Sequence, residues 1–72
     1  MLLFSIVKND GAKVSILGTF ASEAEARRVF VSHLKKDGYV TEAFQAQAEQ
    51  HLSAFSHMET RYDIVEHNYE AD

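Results

Sequence analysis

Residues 22–39 read SEAEARRVFVSHLKKDGY, and this stretch carries its own start, its own stop and an apolar face. Ser22 and Glu25 stand in capping-box register. The serine oxygen is placed to accept from the Glu25 backbone N–H, and the Glu25 carboxylate to reach back to Ser22. Glu23 and Glu25 put negative charge at the positive end of the helix dipole, while Lys35 and Lys36 sit at its negative end. Gly38 supplies a residue able to turn left-handed after the last turn, and Tyr39 then falls where it packs back on Leu34. Between these signals Ala26, Val29, Phe30, Val31 and Leu34 recur at spacings of three and four. The spacing predicts a helix with one face to bury, so the chain on either side must supply the surface.

Upstream, Leu2–Lys8 and Ala12–Phe20 read as two strands rich in Leu, Ile, Val and Phe, separated by Asn9-Asp10-Gly11. A two-residue turn at Asp10-Gly11 sets Lys8 opposite Lys13, a like-charge pair. A three-residue loop with Gly11 left-handed sets Phe4 opposite Ile16 and Ile6 opposite Val14. The second register is preferred because it gathers Leu2, Phe4, Ile6, Val14 and Ile16 on the face the helix covers. It leaves Leu3, Val7 and Leu17 on the other face. Strand one is apolar on both sides, which places it centrally in the sheet.

Downstream, Thr41 reads as an N-cap and Glu42 to about His57 as a second helix. Phe44, Ala48, Leu52 and Phe55 form its stripe, and Met58 closes it. Arg61–His67 (RYDIVEH) reads as a third strand, with Tyr62 and Ile64 on one side and Arg61, Asp63, Val65 and His67 on the other. The expectation is a single α+β domain over residues 1–72, built ββααβ. Its three-stranded sheet has the order 2-1-3, the third strand runs parallel to the first, and both helices lie on one face. Asn68–Asp72 reads as a short acidic tail.

Seventy-two residues without cysteine allow one thin core, no disulfide framework and no thiolate zinc site. The apolar start MLLFSIV lacks a basic leader and is cut off by Lys8-Asn9-Asp10-Gly11, too short for a signal or membrane segment. The expected location is therefore cytoplasmic, with no membrane partner. Net charge is −4, and it is unevenly divided. Residues 1–36 hold six bases against three acids, and residues 37–72 hold Arg61 alone against eight acids. The second half would repel nucleic acid, whose phosphates need neutralising cations. It would attract a protein with a basic surface.

Catalytic patterns are missing. His51 and His57 are six apart and His33 has no ligand-spaced neighbour, so no metal is expected. Glu66 and His67 are adjacent on a strand and point to opposite faces. No serine sits in a glycine-flanked elbow, three glycines make no phosphate-cradling loop, and Glu23/Glu25 read as a helix start. No cofactor is expected. The bases Lys8, Lys13, Arg27, Arg28, Lys35 and Lys36 lack interleaved aromatics and read as a solvated face.

Two surfaces are left as candidate contacts. One is an acidic face of Glu59, Asp63, Glu66, Tyr69 and Glu70. The other is an apolar sheet face of Leu3, Val7, Leu17 and Val65. Both point to a non-enzymatic interaction module, a regulator or inhibitor that occupies a surface on a larger protein. Small acidic domains of this kind are common among phage- and plasmid-encoded inhibitors of host defence or nucleic-acid machinery, an analogy of composition only. The alternative is a homodimer or larger homo-oligomer packed through the sheet face. A small-ligand or metal-dependent enzyme would need a site at a subunit boundary.

Overall fold

The computed structural model describes residues 1–70. Ala71 and Asp72, the end of the acidic tail, lie outside the described residues. The elements run β1 (Leu2–Asn9), β2 (Val14–Phe20), α1 (Glu23–Lys36), α2 (Glu42–His51), β3 (Ala54–His57) and β4 (Thr60–Asn68). They form an α+β fold with one four-stranded antiparallel sheet of order β2-β1-β4-β3.

Helix α1 forms as its sequence dictates. The Ser22 side chain accepts from the Glu25 N–H, and the C-terminus closes with Tyr39 N–H on the Leu34 carbonyl at 2.8 Å and Gly38 N–H on that of Lys35 at 3.1 Å. This double bond needs a left-handed residue, which Gly38 supplies at φ +88°. Ala26, Phe30, Val31 and Leu34 are fully buried. Three of them join Ile6 of β1 and Tyr62 of β4 in the core cluster. The two central strands therefore present the surface that the helix needs.

The β1–β2 hairpin turns later than its apolar pattern suggests. Asp10 and Lys13 bracket the turn, with Asp10 N–H on the Lys13 carbonyl at 3.1 Å. The Asn9 side chain accepts from Gly11 N–H, and that of Asp10 from Ala12 and Lys13 N–H. Gly11 sits at φ +92°. These local bonds fix the turn on Gly11-Ala12 and outweigh the apolar matching. Asn9 consequently faces Val14 and Val7 faces Ile16, while Ile6 faces Gly18 and Phe4 faces Phe20. Leu17 is the extra residue of the intervening bulge. Beyond the bulge the expected pairing is displaced by four residues, but Val14 and Ile16, which face Asn9 and Val7 in place of Ile6 and Phe4, are displaced by three, an odd number. Such a slip exchanges the two faces. Val14 and Ile16 are turned away from the helix, and Leu17 packs against the core.

The second half corrects the expected topology. Helix α2 stops at His51, and Leu52 is its C-cap. Residues 54–57, expected as helix, are β3. Phe55 faces Tyr62 across the β3–β4 pair and packs on the Tyr39 ring at 5.0 Å between centroids. Ser53, Ser56 and His57 are weak helix formers, so aromatic packing decides the conformation. Met58, expected to close the helical stripe, instead occupies the turn between His57 and Thr60 at φ 55° and is 92% exposed. The extra strand reverses the chain once more. The strand over 61–67 (β4) therefore runs antiparallel to β1 rather than parallel. Tyr62 and Ile64 still face the core as their alternation requires.

The covering layer is also thinner than expected. Helix α1 rests on β1, β2 and β4, whereas α2 is laid against α1 and has no fully buried residue. Leu52 and Ala48 reach the rim of the core, and Phe44 is exposed.

The two faces of β2 separate in a substitution test. Leu17→Thr puts a hydroxyl against the core and should cost about 1–3 kcal/mol. Ile16→Thr keeps a β-branched strand former on an exposed site and should cost no more than about 0.5 kcal/mol. Urea unfolding monitored by circular dichroism measures both, and a larger cost at Ile16 would contradict the bulged register.

Candidate functional site

The face of the sheet opposite α1 carries no helix, and the strand registers lay out what it presents. One row crosses the sheet as Ile16, Val7, Asp63 and Ala54, and the next as Val14, Asn9, Arg61 and Ser56. Beyond them come Thr19, Ser5 and Val65, then Leu3 and His67. Side chains alternate across a strand, and Ile6 and Tyr62 point to α1, so these residues share the open face. Ile16 is 69% exposed, Val14 62% and Val65 45%, with Leu3 and Val7 half-buried beside them.

Of the four apolar residues expected here, Leu3, Val7 and Val65 lie on this face and Leu17 does not. Val14 and Ile16 take its place and extend the apolar band to the β2 edge. The signal that could have found them is the side-chain chemistry of Asn9 and Asp10. Two residues able to hold the next backbone N–H groups define the turn more sharply than apolar matching does.

Polar groups on this face are tied to one another. Arg61 Nε donates to Asp63 Oδ2 at 2.8 Å. Ser5, 7% exposed, lies 2.9 Å from Thr19 Oγ1 and 2.9 Å from His67 Nε2. A serine–histidine contact is also how an activated nucleophile looks. Here, however, the serine is sunk within a continuous ladder between β2 and β4. The ladder pairs β1 with both of its neighbours at this position. The contact holds three strands together and balances the polarity of the face.

The residues expected to make one acidic face are scattered. Glu59 lies in the β3–β4 turn against Gly11. Asp63 is on the open face, paired with Arg61. Glu66, opposite Phe4, borders a cleft on the helix side with Glu23, Ser53 and Ile64. Tyr69 is 54% exposed and bonds the Met1 carbonyl through its N–H, and Glu70 follows it at the far end. At about 3.3 Å per residue, β4 alone separates Glu59 from Tyr69 by about 30 Å. These groups do not form one contact surface.

A separate polar cluster closes the end of the core. Tyr62 OH donates to Asp37 Oδ2, and Lys8 Nζ lies 3.4 Å from the same oxygen and 5.2 Å from the Tyr62 ring centre. The Tyr62 hydroxyl, followed by Lys8, holds the Asp37 carboxyl below the usual carboxylate range. Burial and the bond to Asp37 push the Tyr62 phenol up. Tyr62, with support from Asp37, raises the Lys8 ammonium. The cluster joins β1, β4 and the end of α1. Among the described residues no three His, Asp or Glu side chains gather as a metal ion needs, and no helix is long and apolar enough to cross a membrane. A scan against protein-family models and searches of curated proteins and of solved structures find no match to this chain.

The cluster sets a pH dependence. Asp37 has a lowered folded pKa, so its contribution is present above the ordinary carboxylate value and is lost as pH falls through the folded one. Tyr62 has a raised folded pKa, so its contribution is complete below about pH 10 and is lost above it. Stability should therefore decline below about pH 4 and again above about pH 10. Asp10, lowered by bonds from Ala12 and Lys13 N–H, adds to the acid limb. Urea midpoints at pH 3 and pH 6 should converge more in Asp37→Asn than in the wild type. An identical acid loss in the two proteins would show that the Asp37 bonds contribute nothing.

Proposed function

We propose that this chain is a non-enzymatic interaction module, a small regulator or inhibitor that acts by occupying a surface on a larger protein, with the helix-free sheet face as its contact. The observation that carries this reading is the band formed by Val14, Ile16, Val7, Val65 and Leu3, exposed or half-exposed on a face that no helix covers. Single exposed apolar side chains are ordinary, but a contiguous band on a flat sheet is what a docking surface presents. The fixed charges on it are joined as Arg61–Asp63. The face therefore suits an apolar, weakly charged counterpart. Glu59, Glu66 and Glu70 lie around and beyond it, where carboxylates steer a basic partner without holding it.

This division of labour separates the candidate contacts. A buried apolar anchor controls how long a complex lasts, whereas rim charges change its rate of formation and salt dependence. In pull-downs from the native host followed by titration of the captured protein, Val65→Lys should weaken capture by about tenfold or more. Reversal of Glu59, Glu66 and Glu70 to lysine should mainly alter the salt dependence. Full capture by Val65→Lys, with loss in the reversed-charge variant, would transfer the contact to the carboxylates and refute the sheet-face reading.

A further inference from the structure

We infer that β2 is an open pairing edge whose occupant is the β2 of a second copy of this chain, joined antiparallel about Ser15 so that two four-stranded sheets become one of eight strands. This goes beyond the docking role of the sheet face and does not depend on it.

Strand β2 has β1 on one side and no strand on the other, and among the described residues no loop or cap bond reaches its backbone. The direction of its free groups follows from the turn. Asp10 and Lys13 form a bonded pair, and bonded and non-bonded pairs alternate along an antiparallel ladder. The Asn9–Val14 and Val7–Ile16 pairs are therefore non-bonded, and the N–H and C=O groups of Val14 and Ile16 point outward. The bulge at Leu17 distorts the ladder only beyond them.

Proteins blunt such edges with lysine, proline, inward charges or a covering element. Residues 14–20, VSILGTF, contain no charge and no proline. The bulge protects the second half of the strand alone. The opposite edge, β3, is only four residues long, a form of protection that β2 lacks.

The occupant follows from self-complementarity. With a two-fold axis through Ser15, Val14 of each copy lies opposite Ile16 of the other. Their outward groups exchange two pairs of backbone hydrogen bonds. The same alignment sets each Val14 side chain beside the other copy's Ile16 on the open face, an apolar cross-strand pair formed twice. Lys13 is set toward Leu17 of the second copy rather than toward another Lys13, so no like charges meet. The exposure of Val14 and Ile16 is then explained by position. They are the margin of a band that ends abruptly at the β2 edge in one copy and runs unbroken across the seam in two.

Amide hydrogen exchange by NMR, with sedimentation on the same samples, tests the pairing in the unmodified protein. The outward amides of Val14 and Ile16 should be protected at high protein concentration and lose that protection on dilution, as the mass falls from two chains to one of 8.1 kDa. Ile16→Pro removes an outward donor, which an edge strand tolerates without losing its bonds to β1. It should remain folded by circular dichroism and sediment as a monomer, whereas Val65→Lys should still dimerise. A wild-type monomer at millimolar concentration, or Val14 and Ile16 amides that exchange as freely as unstructured amides at every concentration, would overturn the inference. So would a folded Ile16→Pro protein that remains dimeric. Loss of partner capture in Val65→Lys with dimerisation intact would support both proposals, the seam at β2 and the contact centred on Val65.

Discussion

The contact of one helical stripe with two central strands holds this molecule together. Ala26, Phe30, Val31 and Leu34 have no exposure, and Ile6 and Tyr62 are the strand residues sealed beneath them. A domain of this length retains only about 3–5 kcal/mol of net stability from such a core. Removing the side chain of Ile6 or Phe30 would therefore remove most of what separates folded from unfolded protein. The other parts are arranged around this contact. The Schellman ending turns the chain so that Tyr39 meets Phe55 and Tyr62, and Asp37, just before it, ties the Tyr62 hydroxyl and Lys8 to the end of α1.

Because the apolar investment goes to one side of the sheet, the other side has to remain presentable by different means. It does so with an internal ion pair, Arg61–Asp63, and with the Ser5–Thr19–His67 contact that ties three strands. What is left apolar is concentrated toward β2. The functional proposals grow out of this asymmetry. In those proposals the open, nearly neutral face is the docking surface and its β2 margin the pairing edge.

Local signals in the sequence were reliable where they were dense. The Ser22 side-chain cap, the glycine ending and the stripe of α1, the N-cap position of Thr41 and the alternation of Tyr62 and Ile64 reappear in the structure. Failures occurred where a local cue was outranked by one a few residues away or across the sheet. Asn9 and Asp10 moved the turn, and with it the faces of Val14, Ile16 and Leu17. Phe55 fitted a helical stripe at three residues from Leu52 equally well as it fitted an alternating strand, and only its partners Tyr39 and Tyr62 distinguish the two. The presence of β3 also sets the direction of β4, since each strand added in an antiparallel sheet reverses the next. The acidic face failed for a simpler reason. Closeness in sequence is not closeness in space here, because an extended strand carries its charges apart and to alternate sides.

The central claim is that the sheet is buried by a helix on one side only, with β2 rotated so that Ile16 faces outward and Leu17 inward. Methyl NMR of a dilute sample with a soluble paramagnetic agent measures this residue by residue. The Ile16, Val14 and Val65 methyls should broaden strongly, while those of Ile6, Leu17 and Leu34 should stay sharp. A shielded Ile16 beside an accessible Leu17 would contradict the account at its foundation.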